Sequence, residues 1–265
     1  MATFILVHGA FQGSWVWDST ASLLRSCGHS VLTPTLTGLG DRAHLLNRAI
    51  SLRHYVDDVV NTVCFAQAGP AIFVGHSFAG LVAAAAASSL KSLASGLIYV
   101  DAIIPEAGLS FRDLAGPAFE PVLSAHIQDG WLVKPWPIST FGVPGPELAR
   151  DFAARLMPTP LAAFTDTYGF RLPDANLPKA FIRCTSNSNP LIAAQGAKAK
   201  VSGYDHTEID TGHAPMVTTP KQLAEALMQC ASKMPDKSLG TIDSSYFHER
   251  LLRAMHSGSG KLRGE

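Results

Sequence analysis

The stretch Ala71-Ile72-Phe73-Val74-Gly75-His76-Ser77-Phe78-Ala79-Gly80 constrains the fold more than any other. Four apolar residues ahead of a glycine read as a short buried strand. Leu81 to Leu90, rich in Ala and Leu and free of Gly and Pro, predicts a helix. Between them lies Gly75-x-Ser77-x-Ala79-Gly80, close to the Gly-x-Ser-x-Gly pattern that holds a serine on a tight strand-to-helix turn. Ala79 stands where the pattern has its last Gly, and Gly80 follows at once. Small residues at 75, 79 and 80 let the helix and strand backbones close up. The Ser77 hydroxyl then stands above the sheet, beside a helix N-terminus that favours negative charge.

The rest of the chain repeats that strand-helix unit. Thr3 to Val7 is an apolar run ending in His8-Gly9-Ala10-Phe11-Gln12-Gly13, with a helix expected around Trp17 to Arg25. Ser30 to Thr33 reads as a second strand, followed by a long turn through Pro34 to Arg42. Leu52, Tyr55, Val56, Val59, Val60 and Val63 recur at helical spacing. Gly96 to Val100 is a fourth strand, ending at Asp101. Strands alternating with helices predict an α/β fold with a mostly parallel sheet flanked by helices.

After Asp101 the alternation stops. Residues 105–178 are Pro-rich and carry Trp131, Trp136, Phe141, Phe152, Phe164 and Phe170. Such a length exceeds any crossover, and an aromatic insertion behind a strand end is expected to act as a cap, or lid, over a pocket. Trp131, Trp136 and Phe164 are its candidate substrate-binding side chains. Alternation resumes with strands at Ala180 to Thr185 and His206 to Ile209 and helices at Leu191 to Lys200 and Pro220 to Ser232. The expected domains are a core of residues 1–104 and 179–233, the insertion 105–178, and a partly disordered polar appendage 234–265 with a helix at Tyr246 to Met255.

Composition excludes some classes. The 265 residues are 47% hydrophobic, with zero formal net charge and 16% charged, against about 25% charged in an average domain. No Lys/Arg cluster offers a nucleic-acid surface. No apolar run approaches a membrane span, and the N-terminus lacks the charged region of a signal peptide. Cys27, Cys64, Cys184 and Cys230 are scattered in apolar contexts without metal-ligand spacing, which reads as buried free thiols in a reducing cytoplasm. No cofactor or metal is expected. The Gly9 loop has neither the Lys nor the glycine spacing of a phosphate loop.

A serine hydroxyl attacks only when a base takes its proton and an acid holds that base in the right tautomer. His213, in Gly212-His213-Ala214-Pro215 after the last strand, is the expected base. His76 is expected to face away from the site, His8 to brace the Gly9 loop, and His206 to be structural. Acyl transfer also needs donors for the oxyanion. The N–H groups of Phe78 and Ala10 are the candidates, with Gly9 leaving room for the backbone to approach the substrate.

Together, Val7-His8-Gly9-Ala10, Gly75-His76-Ser77-Phe78-Ala79-Gly80 and Gly212-His213 resemble an α/β-hydrolase. More narrowly, Trp15, Thr35-Leu36-Thr37-Gly38-Leu39-Gly40-Asp41-Arg42, and Tyr99-Val100-Asp101-Ala102 with Pro105-Glu106 resemble bacterial relatives of the plant methylesterase and hydroxynitrile lyase branch. The resemblance covers residues 3 to about 232 and implies a small cofactor-free esterase with a cap, often a homodimer. The lyase branch has Thr where this chain has Gly9 and Lys where it has Ala214, so lyase activity is not expected. That branch keeps its acid in the loop after the strand at Ala180 to Thr185, yet here Ser186-Asn187-Ser188-Asn189-Pro190 holds no carboxylate. Asp101, at the end of the strand after the nucleophile strand, is the expected acid, with Asp210 and Asp205 as rivals. Some haloalkane dehalogenases are similar in carrying their acid there. The expected activity is cleavage of a small, mostly apolar ester, of methyl-ester or methyl-carbamate type. An amide or carbamate hydrolase with the same groups, and a non-catalytic ligand receptor on the same fold, are the alternatives.

Overall fold

Strand β1 (Thr3–Val7) is an inner strand of the main sheet, one place in from its edge, with every residue from Phe4 onward buried. Helix α1 (Asp18–Ser26) leads to the edge strand β2 (Ser30–Leu32), and α2 (Leu52–Phe65) buries the apolar face expected of it. Strand β3 (Ala71–His76) is buried at all positions and feeds α3 (Ala79–Ser89). Residues Ala79 to Ala87 of α3 are buried on every face, as expected of a helix apolar all round. Strand β4 (Ala94–Val100) ends at Asp101. The structure, a computed structural model, describes residues 1–235 and Leu252.

The inserted segment follows: α4 (Phe111–Ala115), α5 (Glu120–His126), β5 (Ile127–Gln128), β6 (Leu132–Val133), α6 (Pro146–Ala154), β7 (Thr159–Pro160) and α7 (Ala162–Thr165). Its strands form a separate antiparallel sheet in the order β5-β6-β7. The core resumes with β8 (Lys179–Cys184), α8 (Pro190–Val201), β9 (Asp205–Ile209), α9 (Pro215–Thr218) and α10 (Pro220–Ser232).

The main sheet has the order β2-β1-β3-β4-β8-β9, and all of its pairings are parallel. The chain winds outward from β1 to β2, then reverses to β3 on β1's other side. In open parallel sheets the crevice at such a reversal, beyond the carboxyl ends of the strands, is where ligands bind. Here it lies between the ends of β1 and β3, where the His8–Gln12 loop meets Ser77.

One expectation needs correcting. The four cysteines are free, but Cys27 is exposed because it caps the end of α1, while Cys64, Cys184 and Cys230 are buried. The expected appendage beyond residue 235, with its helix at Tyr246 to Met255, falls outside the described residues apart from Leu252.

Candidate active site

Ser77 sits between β3 and α3 with a φ of +55°, in the left-handed region. Such backbone costs about 1–3 kcal/mol and persists only when its surroundings enforce it. The enforcement is visible: Ser77 N–H donates to Val100 O at 3.2 Å, and its carbonyl accepts from Gly80 N and Ile103 N at 3.1 and 3.0 Å. Two glycines permit the approach. A Cβ at Gly75 would strike the Ala79 carbonyl, and one at Gly80 the Ile103 carbonyl.

The turn aims the hydroxyl at the β9–α9 loop. Ser77 Oγ lies 2.9 Å from His213 Nε2, and His213 Nδ1 lies 2.8 Å from Asp101 Oδ2. With Nε2 accepting from the hydroxyl, Nδ1 carries the ring proton and donates it to the carboxylate. Asp101 is fully buried and also has positive φ, +46°, with its N–H donating to Ile182 O at 2.8 Å. Its Oδ1 accepts from Arg183 Nη1 at 2.7 Å and Cys184 N at 3.0 Å, and its Oδ2 also accepts from Asn187 Nδ2 at 2.6 Å. Burial opposes ionisation, but the His213 hydrogen bond and charge, with the Asn187 and Cys184 donors, outweigh it and hold the carboxyl below its ordinary range.

The rival carboxylates are elsewhere. Asp210 accepts from Ser186 Oγ at 2.6 Å, and Asp205 pairs with Lys233 at 2.7 Å. His76 does not face away as expected. Its Nε2–H donates to the His213 carbonyl at 2.6 Å, and the two rings are 4.8 Å apart, so the last residue of β3 props the His213 loop from below. Full burial keeps His76 neutral, its pKa down at about 3. His8 does brace its loop. Nε2 accepts from Leu36 N at 3.1 Å and Nδ1–H donates to Gly9 O at 2.9 Å, and burial lowers this ring to about 4.

In the His8–Gln12 loop, Gln12 Oε1 accepts from Gly9 N at 3.1 Å. A Cβ at Gly9 would come within 2.9 Å of His76 Nδ1 and 3.2 Å of Ser77 Cβ, so glycine lets this loop lie against the serine turn. The amides of Ala10 and Phe78 donate to no carbonyl among the turns and loops of the described residues. Phe11, at φ +69°, is tied to the inserted segment: its N–H donates to Thr159 Oγ1 at 2.8 Å, and its carbonyl accepts from Met157 N at 3.0 Å.

Ser77 and His213 open into a cavity of about 680 Å³. Its lining includes the aromatic residues Phe111, Phe119, Trp136 and Phe141, which form an aromatic wall, and the polar run Ser186 to Asn189. Trp136, a candidate from the sequence, lines this cavity. Trp131 is not among the lining residues; its ring carries the Arg48 guanidinium 5.5 Å above it, because the β5–β6 turn points it away. Phe164 is also absent from the lining. Fully buried, it packs behind the wall against Phe11 at 5.8 Å, Phe78 at 5.9 Å, Phe111 at 5.3 Å and Trp136 at 5.8 Å. Arg183 and Asn187 carry no sequence signal of their own, and only the fold brings them within hydrogen-bond reach of Asp101. No group of three or more His, Cys, Asp or Glu side chains among the described residues could hold a metal ion. No helix among them is long and apolar enough to cross a membrane.

A parallel sheet with a serine on its strand-to-helix turn defines a class, and the alpha/beta hydrolase family model matches residues 4–226. The chain belongs to that family. A carbendazim hydrolyzing esterase from Nocardioides sp. (strain SG-4G) is 32% identical over 240 residues, covering 86% of this chain and 98% of the relative. Methylesterase 2 of Arabidopsis thaliana is 23% identical over 260 residues, covering 86% and 95%. Among solved structures, an extracellular alpha/beta-hydrolase from a Paenibacillus species superposes with a TM-score of 0.75 at 24% identity, covering 87% of this chain and 99% of that one. With esterases as relatives along almost its whole length, the protein is a hydrolase of the esterase class.

Proposed function

We propose that the protein is a serine hydrolase that cleaves a small, mostly apolar carboxylic ester, of methyl-ester or methyl-carbamate type, through an acyl-enzyme. The observation that carries this is the hydrogen-bonded chain Ser77–His213–Asp101, with Ser77 and His213 lining a cavity that has aromatic side chains in its wall. Ser77 Oγ attacks the carbonyl carbon while His213 Nε2 takes its proton, and the imidazolium so formed is held by Asp101. The carbonyl oxygen becomes an oxyanion facing the N–H groups of Ala10 and Phe78. His213 then protonates the leaving alkoxide, which departs as the alcohol. Water, deprotonated by the same nitrogen, attacks the acyl-enzyme and releases the acid, or carbamic acid, restoring Ser77. Every step uses the chain's own residues. Residues 105–178 act as a cap whose aromatic wall takes the apolar part of the substrate.

The carbamate half of the proposal draws on the relative named for carbendazim, a methyl carbamate on a flat heteroaromatic ring. A flat ring suits the aromatic side chains of the lining, and its heteroatoms suit the polar run Ser186 to Asn189. The test is a panel of methyl esters, methyl carbamates and amides of matched acyl size, assayed with wild type and Ser77→Ala. Turnover of the first two classes by wild type alone is expected. Binding without turnover of any of them would instead identify a ligand receptor.

A further inference from the structure

We propose that Thr159, in the inserted segment, and Gln12 are positioning residues that aim the Ala10 N–H at the oxyanion. The inference rests on the reading of Ser77, His213 and the Ala10 amide given above. Three consecutive amides, those of Gly9, Ala10 and Phe11, follow His8 in the loop after β1. Side chains take the outer two: Gly9 N–H donates to Gln12 Oε1 at 3.1 Å, and Phe11 N–H donates to Thr159 Oγ1 at 2.8 Å. The middle peptide is held by its oxygen, since Gly9 O accepts from His8 Nδ1–H at 2.9 Å. A planar trans peptide turns its N–H opposite to its C=O, so this bond fixes the direction of the Ala10 N–H. Of the three amides, Ala10's alone is left for a ligand, on a loop that lies against the Ser77 turn at Gly9.

The tethers oppose a real strain. Phe11 has a φ of +69°, which a bulky residue keeps only when its surroundings enforce it. Both of its backbone groups are bonded by the inserted segment, the N–H by Thr159 and the carbonyl by Met157 N at 3.0 Å. That anchor is stiff. Pro158 and Pro160 push Met157 and Thr159 toward extended backbone, and β7 pairs with β6, Thr159 standing opposite Val133. Thr159 and Gln12 are both fully buried, so water does not compete for either bond. Gln12 Nε2 is buried with no hydrogen-bond partner among the described residues, so the Gly9 bond is the one its amide serves. Thr159 is not among the cavity-lining residues and acts through Phe11. An oxyanion donor works only at about 2.7–3.1 Å, so a released loop loses rate before it loses substrate.

The test compares the full chain with Thr159→Val, Thr159→Ser and Gln12→Met, using para-nitrophenyl acetate and two inhibitors of one shape. Benzyl trifluoromethyl ketone takes Ser77 Oγ on its carbonyl carbon while His213 takes the hydroxyl proton, and its carbonyl oxygen becomes the oxyanion. Benzyl methyl ketone binds without that addition and reports the cavity alone. Thr159→Val is expected to lower kcat by ~10-fold or more, a part of the ~100–1,000-fold that a lost donor costs, with KM within about 2-fold. The trifluoromethyl ketone should weaken by the same factor as kcat, and the methyl ketone by less than about 2-fold. Thr159→Ser, which keeps the hydroxyl, should stay within about 3-fold of wild type throughout. Parallel weakening of both ketones, as a merely structural role predicts, overturns the proposal. So does a wild-type kcat in Thr159→Val, or a Thr159→Ser no better than Thr159→Val. Gln12→Met should show the same split between the ketones; its absence overturns the Gln12 half and, should Thr159→Val not fold, the whole. A Ser77→Ala protein as active as wild type would overturn the site reading itself, which a missing split alone does not.

Discussion

Ser77 and Asp101 both hold left-handed backbone conformations that L-residues avoid, and both end strands of the central sheet. Neighbouring strands hold each of them in place, which puts a hydroxyl and a carboxylate on opposite sides of one imidazole. Asp101→Asn should therefore fold but favour the wrong imidazole tautomer, losing at least ~100-fold in kcat, whereas Asp210→Asn should stay within about 3-fold of wild type. Steady-state kinetics on purified variants checks both; a collapse in Asp210→Asn alone would move the acid. The serine, histidine and aspartate were legible because each adjoins a strand end in a recognisable residue pattern. Asn187 and Arg183 were not, since an amide and a strand cation say nothing until the fold brings them within reach of Asp101. Removing one member of a buried ion pair such as Arg183–Asp101 typically costs about 3–5 kcal/mol.

The strands and helices of the core fall within a few residues of where apolar runs and helical spacing put them, because most runs lie close to a Gly or Pro. Inside residues 105–178 a helix is legible over Glu147 to Leu156, where α6 runs from Pro146 to Ala154, but the short strands are not. Strands of two residues, such as Leu132–Val133, are too short to show a period, and their antiparallel pairing is set by tertiary contact. The same shortness explains the error at Trp131, whose direction depends on the β5–β6 turn. This segment also reaches the loop after β1. Through Thr159 and Met157 it holds Phe11, and hence the loop that carries the Ala10 amide. Trp136→Ala should change the kcat/KM ratio between a bulky aromatic ester and methyl acetate by roughly 10-fold, in line with ~1–3 kcal/mol per aromatic contact. Trp131→Ala should leave that ratio unchanged. Equal shifts in the two variants would contradict the assignment of the wall.

Across the whole molecule, the reversal of strand order at β1 and β3 gathers His8, Gly9, His76 and Ser77 at one crevice, and β4, β8 and β9 add Asp101, Arg183 and the His213 loop to the same edge. The arrangement buries two neutral histidines, with consequences for stability. His8 and His76 resist protonation until about pH 4 and about pH 3, while an unfolded histidine takes its proton near 6.5. Below 6.5 the unfolded chain binds more protons, so stability should fall as pH drops, by up to about 1.4 kcal/mol per unit for each ring. The stability from Asp101, whose carboxyl is depressed, is present above its ordinary value of 3.8 and is lost only below that window. Urea unfolding midpoints should be lower at pH 5 than at pH 7; equal midpoints would contradict the buried neutral rings. The central claim, that Ser77 is the nucleophile of a hydrolase, is tested most directly by peptide mapping after treatment with a fluorophosphonate. One equivalent of label on Ser77, with complete loss of esterase turnover, is the predicted result. Label on another residue at full inactivation, or turnover that survives stoichiometric labelling of Ser77, would contradict it.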